Sequence, residues 1–207
     1  NPQVAAVQPK ILAYNEKNKF EYAGAAGGFI DLLGYPFCRG RVFDETEKDS
    51  GQYNDTREVF WATGACLVIR SKIYHELKGL DEDFFAHMEE IDLCWKIQRA
   101  GHRVFYCGTS AVYHVGAGTL SKSNPRKTYY NFRNGLSLVY KHWNTGNLIW
   151  KLPVRILLDY LDGKAQTIVS TSKQTIADRY RQRAATILVE GGTATRDDKL
   201  SAEKAQM

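Results

Sequence analysis

Several protein classes are excluded by what this chain lacks. It has no run of about 18 apolar residues, and its mean hydropathy is −0.41, so no membrane-spanning helix is expected. Its longest apolar-leaning stretch, Leu148 to Leu161, is interrupted by Lys151, Arg155 and Asp159. There are four cysteines, Cys38, Cys66, Cys94 and Cys107, and no two are spaced as CxxC. That argues against a disulfide-stapled miniprotein and a cysteine zinc site, and it reads as reduced thiols in a cytosolic chain. No GxGxxG, Walker loop, HExxH, GxSxG or kinase signature occurs, and there is no internal repeat. The chain opens on Asn1-Pro2 without an initiator Met or a signal peptide, which reads as a segment of something longer.

What is present is ordinary globular material. Of 207 residues, 43% are apolar and 25% charged, which suits one large domain or two small ones. The charge is unevenly divided: residues 1–120 carry a net −3, residues 121–185 a net +9, and residues 186–207 a net −1. The basic rear suits an anionic partner such as phosphate or an acidic membrane face, or else it is a solvated helical surface. Nucleic acid is not expected as a partner, because no stacking-platform motif or helix-turn-helix spacing accompanies the charge.

The pattern along the chain predicts a mixed α/β fold. Val4 to Leu12 reads as a strand broken by Pro9, and residues 23–59 as a long irregular segment of the kind that lines sites. Phe60 to Arg70 reads as a buried strand, and Ser71 to Leu77 as a short helix capped by Ser71. Gly79 to Phe85 is a turn whose aspartates serve the local backbone. Met88 to Ala100 is the best helix, with Met88, Ile91, Cys94 and Trp95 on its apolar side and Gly101 as its C-terminal cap. Strands follow at Arg103–Cys107 and Ser110–His114. Helices are expected over Lys127–Trp143, Leu148–Tyr160 and Lys164–Leu188, and a polar, disordered tail from Gly191.

Three groups of residues could do chemistry. Glu89, Glu90 and Asp92 open the best helix, where acids either complement the helix dipole or supply a carboxylate base. His114 closes an apolar strand before Val115-Gly116-Ala117-Gly118, either as a packed histidine or as a metal ligand. Arg126, Lys127, Tyr129, Tyr130, Arg133 and Asn134 interleave bases and aromatics, as a pyrophosphate or nucleic-acid site or an amphipathic helix would.

Taken in order, residues 60–134 resemble the family 2 inverting glycosyltransferases of the bacterial, rhamnosyltransferase-like branch. Phe60-Trp61-Ala62-Thr63-Gly64-Ala65 with Val68-Ile69-Arg70 is similar to the family's "SGA…R" strand. Gly79-Leu80-Asp81-Glu82-Asp83-Phe84-Phe85 is similar to "GxFDExFF". Met88-Glu89-Glu90-Ile91-Asp92-Leu93-Cys94-Trp95-Lys96, then Ala100-Gly101-His102, is similar to "ED(V/I)DLCxR…AGY". Val112-Tyr113-His114 matches a strand-end histidine, and Arg126, Tyr129, Tyr130, Arg133 and Asn134 match "R..YY..RN". Where the family has Glu-Asp this chain has Glu89-Glu90, and the longer Glu90 side chain should still reach.

The resemblance implies a partial GT-A α/β/α sandwich with C-terminal helices. Residues 1–120 would be its acceptor-side catalytic part, 121–190 a basic helical segment and 191–207 a tail. About 90–100 residues holding the nucleotide strands and the DxD motif would precede Asn1. It implies sugar transfer with inversion from a nucleotide sugar to a saccharide or lipid-linked acceptor in cell-surface polysaccharide synthesis. Glu90 would be the base, assisted by Glu89. Trp61, Gly64 and Asp92 would meet the acceptor, and Arg126 and Arg133 the donor diphosphate. His114 would contact a Mg²⁺ or Mn²⁺ whose other ligands lie upstream. A cytoplasmic protein, peripheral to an anionic membrane face, is the expected setting. The alternative is a non-catalytic half-domain that binds an acceptor or partner.

Overall fold

The computed structural model of the chain describes residues 1–42, 44–116 and 125–163. They fall into two compact units, Asn1–Val154 and a second that begins at Arg155. The first unit is a mixed α/β fold. Its main sheet has four strands in the order β6-β8-β1-β7. These are β1 (Val4–Ala13), β6 (Thr56–Val59), β7 (Val68–Ile69) and β8 (Arg103–His114). β1 and β8 are parallel, while β6 and β7 run antiparallel to their neighbours.

β1 is the central strand and is buried along most of its length, as its nearly continuous apolar run requires. Pro9 does not break it. The ladder pairs Pro9 with Cys107 and then jumps to Lys10 with Ala111, so β8 makes a bulge of Gly108, Thr109 and Ser110 beside the residue that has no N–H to give. Gly108 is obligatory there, since a Cβ would lie 2.1 Å from the Tyr53 carbonyl oxygen. The two strands expected at Arg103–Cys107 and Ser110–His114 are therefore one bulged strand.

Residues 23–59 are less irregular than expected. They form β2 (Gly28–Ile30) paired with β3 (Pro36–Cys38), β4 (Arg41–Val42) paired with β5 (Glu45–Thr46), and the edge strand β6. The expected strand at Phe60–Arg70 is corrected. Only Val68–Ile69 pair with β1, and Trp61 makes a single bridge to Gly28. The N–H groups of Ala62 and Thr63 turn instead to side chains, Cys94 Sγ at 3.4 Å and the fully buried Gln8 Oε1 at 2.8 Å. Side chains stand in for a neighbouring strand, and the segment is free to turn at Thr63–Cys66.

α1 (Ser71–Glu76) starts one residue earlier than a Ser71 cap would place it. Arg70 is the N-cap, and no side chain caps the helix. α2 (Glu89–Arg99) buries Ile91, Leu93, Cys94 and Ile97 and packs on β8. Gly101 follows at φ +84°, the left-handed stop expected of it. α3 spans Pro125–His142. Residues 145–154 are helical in the first unit and 155–163 in the second. The helix expected at Lys164–Leu188 and the tail from Gly191 lie outside the described residues.

Candidate functional site

α2 begins in an unusual way. Met88, its N-cap, has φ +75°, and His87 and Phe85 stand at +71° and +60°. Three side-chain-bearing residues in the left-handed region need something to hold them. Asn134 and Arg133 of α3 do so. The Asn134 amide nitrogen lies 2.9, 2.8 and 2.7 Å from the carbonyl oxygens of Phe84, Ala86 and His87. Arg133 Nη2 donates to the Asp83 and Phe84 carbonyls at 2.7 and 3.0 Å, and its Nε donates to Asn134 Oδ1. Arg133, expected on the donor diphosphate, thus has its guanidinium committed to the loop before α2.

That loop aims the first turn of α2 at Gly64. The Glu90 carboxyl is enclosed, and its Oε2 has no hydrogen-bond partner. Burial is the main reason its pKa rises from 4.5 to about 7; the neighbouring Glu89 adds to the rise, and backbone N–H groups at Glu90 and Gly64 offset part of it. Glu89 Oε2 and His87 Nε2 are likewise buried without a partner. Burial, and then the Lys127 ammonium, push the His87 imidazole below its ordinary value. Gly64 is exposed, and a Cβ there would meet nothing within 4 Å. A carboxyl poised to take or give a proton therefore lies next to open space.

A second pair lies where β1 and β8 end. His114 Nδ1 faces the nearly buried Glu21 carboxylate at 3.4 Å. Glu21 is held by the Ala23 N–H at 2.6 Å and lies under Gly116, whose Cβ would come 2.4 Å from Glu21 Oε1. The pairs are linked through contiguous contacts. Gln8 donates to the Gly24 carbonyl at 3.2 Å while accepting from Thr63. Gly24 packs so closely on Thr63 that a Cβ would sit 2.4 Å from the threonine Cβ. The loop carrying Glu21 and the loop carrying Gly64 are thus locked together by one buried glutamine. Lys127 of α3 belongs to the same neighbourhood, 5.8 Å over the Tyr22 ring and felt by His87. Arg41 covers Tyr22 at 4.0 Å and donates to its carbonyl.

The remaining expected site residues take other places. Trp61 is a core residue, 6% exposed; its Nε1 donates to the Phe29 carbonyl at 2.8 Å, and Gly28 lies flat against the indole. Asp92 is fully buried and turned toward α3, with His142, Lys96 and Lys141 at 2.8, 2.8 and 2.9 Å. Burial alone would raise its pKa, but hydrogen bonds from those three groups outweigh it and hold the carboxyl well below the usual range. Arg126 is exposed in the first turn of α3. Glu21, Arg41 and Gln8 escaped the sequence reading, because nothing in their own segments marks them and only the topology brings them to His114 and Gly64.

The fit to a divalent cation is that of a single ligand. His114 Nδ1 is buried 3.4 Å from the Glu21 carboxylate without a hydrogen-bond partner, so Nε2 is the ring nitrogen open to a cation. Among the described residues no group of three or more His, Cys, Asp or Glu side chains comes together.

No family model matches the chain. Among curated proteins it is similar to the N-acetylglucosaminyl-diphospho-decaprenol L-rhamnosyltransferase of Mycobacterium tuberculosis, 30% identical over 88 residues, or 42% of this chain and 28% of that protein. It is 26% identical over 136 residues to the O-antigen biosynthesis protein RfbC of Myxococcus xanthus, covering 62% of this chain and 10% of the relative. It is 35% identical over 54 residues to the rhamnosyltransferase WbbL of Escherichia coli, covering 26% of this chain and 20% of the relative. The resemblance to rhamnosyltransferase-like enzymes read from the motifs is borne out by these similarities. The aligned part of the chain covers less than a third of each of these relatives' own length.

Proposed function

We propose that this chain carries the acceptor-activating part of a family 2, inverting glycosyltransferase of GT-A fold. It would move a sugar from a nucleotide-sugar donor to a saccharide or lipid-linked acceptor in cell-surface polysaccharide synthesis. The observation that carries this reading is the Glu90 carboxyl, enclosed, without a partner at Oε2 and shifted to about 7, beside the open face of Gly64.

A neutral alcohol attacks an anomeric carbon slowly. A base within hydrogen-bond reach, with a pKa near working pH, accepts the hydroxyl proton as the new bond forms. Glu90 would take that proton. Glu89 keeps the local potential negative, which makes Glu90 a better base than an isolated glutamate. The acceptor hydroxyl would approach over Gly64. His114, beside Glu21, would carry a Mg²⁺ or Mn²⁺ through Nε2; such an ion, when bound, neutralises charge on a departing diphosphate. Lys127, Arg126 and Arg41 would add positive charge on the same side.

Contact with an anionic membrane face suits the same reading. Among the described residues no helix is long and apolar enough to cross a membrane. Ile149, Trp150 and Val154 are 71, 53 and 43% exposed, an apolar surface that an interfacial helix would lay into a headgroup layer. On this reading the protein would sit peripherally at the cytoplasmic face.

The test is release of nucleoside diphosphate from a panel of nucleotide sugars in the presence of acceptor. Glu90→Gln should lower turnover about 10²-fold or more. Full turnover in Glu90→Gln would rule the base assignment out. Acceptor binding without donor binding or transfer would favour the non-catalytic half-domain.

A further inference from the structure

A cleft of about 700 Å³ lies on the α3-facing side of α2, lined by Trp95, Arg99, His142, Trp143, Asn144 and Lys151 together with the Ile30–Leu32 loop. Neither Glu89, Glu90 and Gly64 nor Glu21 and His114 line it. Four observations make it a built site rather than a surface dip.

The first is Lys151. It is 9% exposed, and its ammonium has no hydrogen-bond or carboxylate partner among the described residues. It lies 5.5 Å over the Trp143 ring and 5.1 Å over the Trp150 ring. The stem of this lysine is buried while its ammonium still reaches solvent, and no carboxylate among the described residues balances its charge. The second is Arg99, which opens on the same cleft from the last turn of α2, again with no carboxylate partner among the described residues. The third is the wall. Trp95 and His142 stack flat, with centroids 4.6 Å apart and planes 6° apart, and His142 Nδ1 is buried without a partner. The fourth is the start of the helical residues 145–154, where Asn144 Oδ1 accepts from the Asn147 N–H at 2.9 Å and the positive end of the helix faces the cleft. One acid, Asp31, also lines the cleft, but its Oδ1 is taken by the N–H groups of Leu33 and Tyr35 at 2.9 and 2.8 Å.

We infer that this cleft binds the phosphate of a phosphorylated saccharide, with Lys151 and Arg99 on the phosphate and the flat indole faces against the sugar. A tetrahedral phosphate offers enough oxygens to accept from an ammonium and a guanidinium at once. Indoles present the apolar, planar surface that one face of a sugar ring covers. The phosphate could come from a soluble sugar phosphate or from a membrane lipid carrier, and the chemistry read by Lys151 and Arg99 is the same. The inference does not require Glu90 to be a base.

The experiment is calorimetric titration of the full chain with glucose 1-phosphate, glucose and glucuronate, alongside cosedimentation with phosphatidylglycerol and phosphatidylcholine vesicles. Glucose 1-phosphate should bind at least about tenfold more tightly than glucose or glucuronate. Arg99→Gln and Lys151→Met should each weaken it about tenfold, while Lys151→Arg retains most of it. Arg99 is exposed, so its variant keeps the test valid if Lys151→Met folds poorly. Binding to phosphatidylglycerol vesicles alone, lost in both variants, supports the same site with a lipid phosphate as its source. Equal binding of glucose, tighter binding of glucuronate, no binding to any probe, or binding untouched by both variants would overturn the inference. Glu90→Gln should leave the titration unchanged, so a failed phosphate site and a failed transferase reading give different results.

Discussion

Glu90 and Asp92 are two residues apart on α2, and their surroundings are opposite. Glu90 faces the Gly64 loop, meets no cation there, and has its pKa pushed up to about 7 by burial and by Glu89. Asp92 faces α3 and is gripped by Lys96, Lys141 and His142, which hold its carboxyl down. Both are enclosed acids in the first turn of a helix, where the dipole favours negative charge alike. Their chemistry is therefore decided by the neighbouring elements: α3 brings cations to one carboxyl, and the loop at 63–64 brings only backbone to the other.

The contrast can be broken in four ways, and the first should have the largest effect. Asp92→Asn leaves Lys96 and Lys141 against a buried amide, and removing one partner of such a cluster costs roughly 3–5 kcal/mol. Urea unfolding measures it. Because the folded-state pKa of Asp92 is depressed, its stabilisation is present above the ordinary value of 3.8 and fades as pH falls below that. A loss under about 1 kcal/mol would mean that the cluster is solvated and the contrast false.

Glu90→Gln comes next, with the turnover loss of about 10²-fold already given and an opposite signature in stability. The folded state binds the Glu90 proton more tightly than the unfolded chain, so stability falls as pH rises from 4.5 to about 7, by on the order of 3 kcal/mol. Glu90→Gln should flatten that slope, and transfer activity of the unaltered protein should rise with pH through about 7. A wild-type stability profile that is flat over this window would remove the asymmetry between the two acids.

Asn134→Ala should cost about 2 kcal/mol, since the Ala86 and His87 carbonyl oxygens lose the amide donor and the Phe84 oxygen is left to Arg133 and the Ala86 N–H. It should also lower kcat while leaving acceptor affinity nearly unchanged, which thermal unfolding and steady-state kinetics together would show. Gly64→Ala has the smallest effect on folding, within about 0.5 kcal/mol, because the added methyl meets nothing. Its effect should fall on acceptor KM, and an unchanged KM would move the acceptor elsewhere.

Much of this was legible in the sequence where period and chemistry agree. α2 could be read from Ile91, Cys94 and Gly101, and its acids from their place before an apolar stripe. β1 could be read from its β-branched run. The failures share one cause, that a partner distant in sequence overrode a local signal. Phe60–Cys66 looks like a strand, but Gln8 and Cys94 satisfy its backbone, so it becomes the loop that carries Gly64. Trp61 reads as a sugar platform, yet Gly28 and the Phe29 carbonyl enclose it. Arg133 reads as a phosphate contact, yet three strained residues ahead of α2 need its donors. Glu21 carries no local mark, and its N–H bond to the Ile11 carbonyl, with the Leu12–Phe20 bridge, brings it back beside β1 and to His114 at the end of β8.

The left-handed run at Phe85, His87 and Met88 has a mechanical meaning. Each such residue gives up roughly 1–2 kcal/mol by not relaxing, so the doorway of α2 behaves as a loaded catch whose keeper, Asn134, is mounted on a different helix. Asn134 ties α3 to that catch, so the placement of Glu90 at the head of α2 depends on where α3 sits. On the proposed reading, a load on α3 would then tune the carboxyl from a distance, with nothing bound beside it.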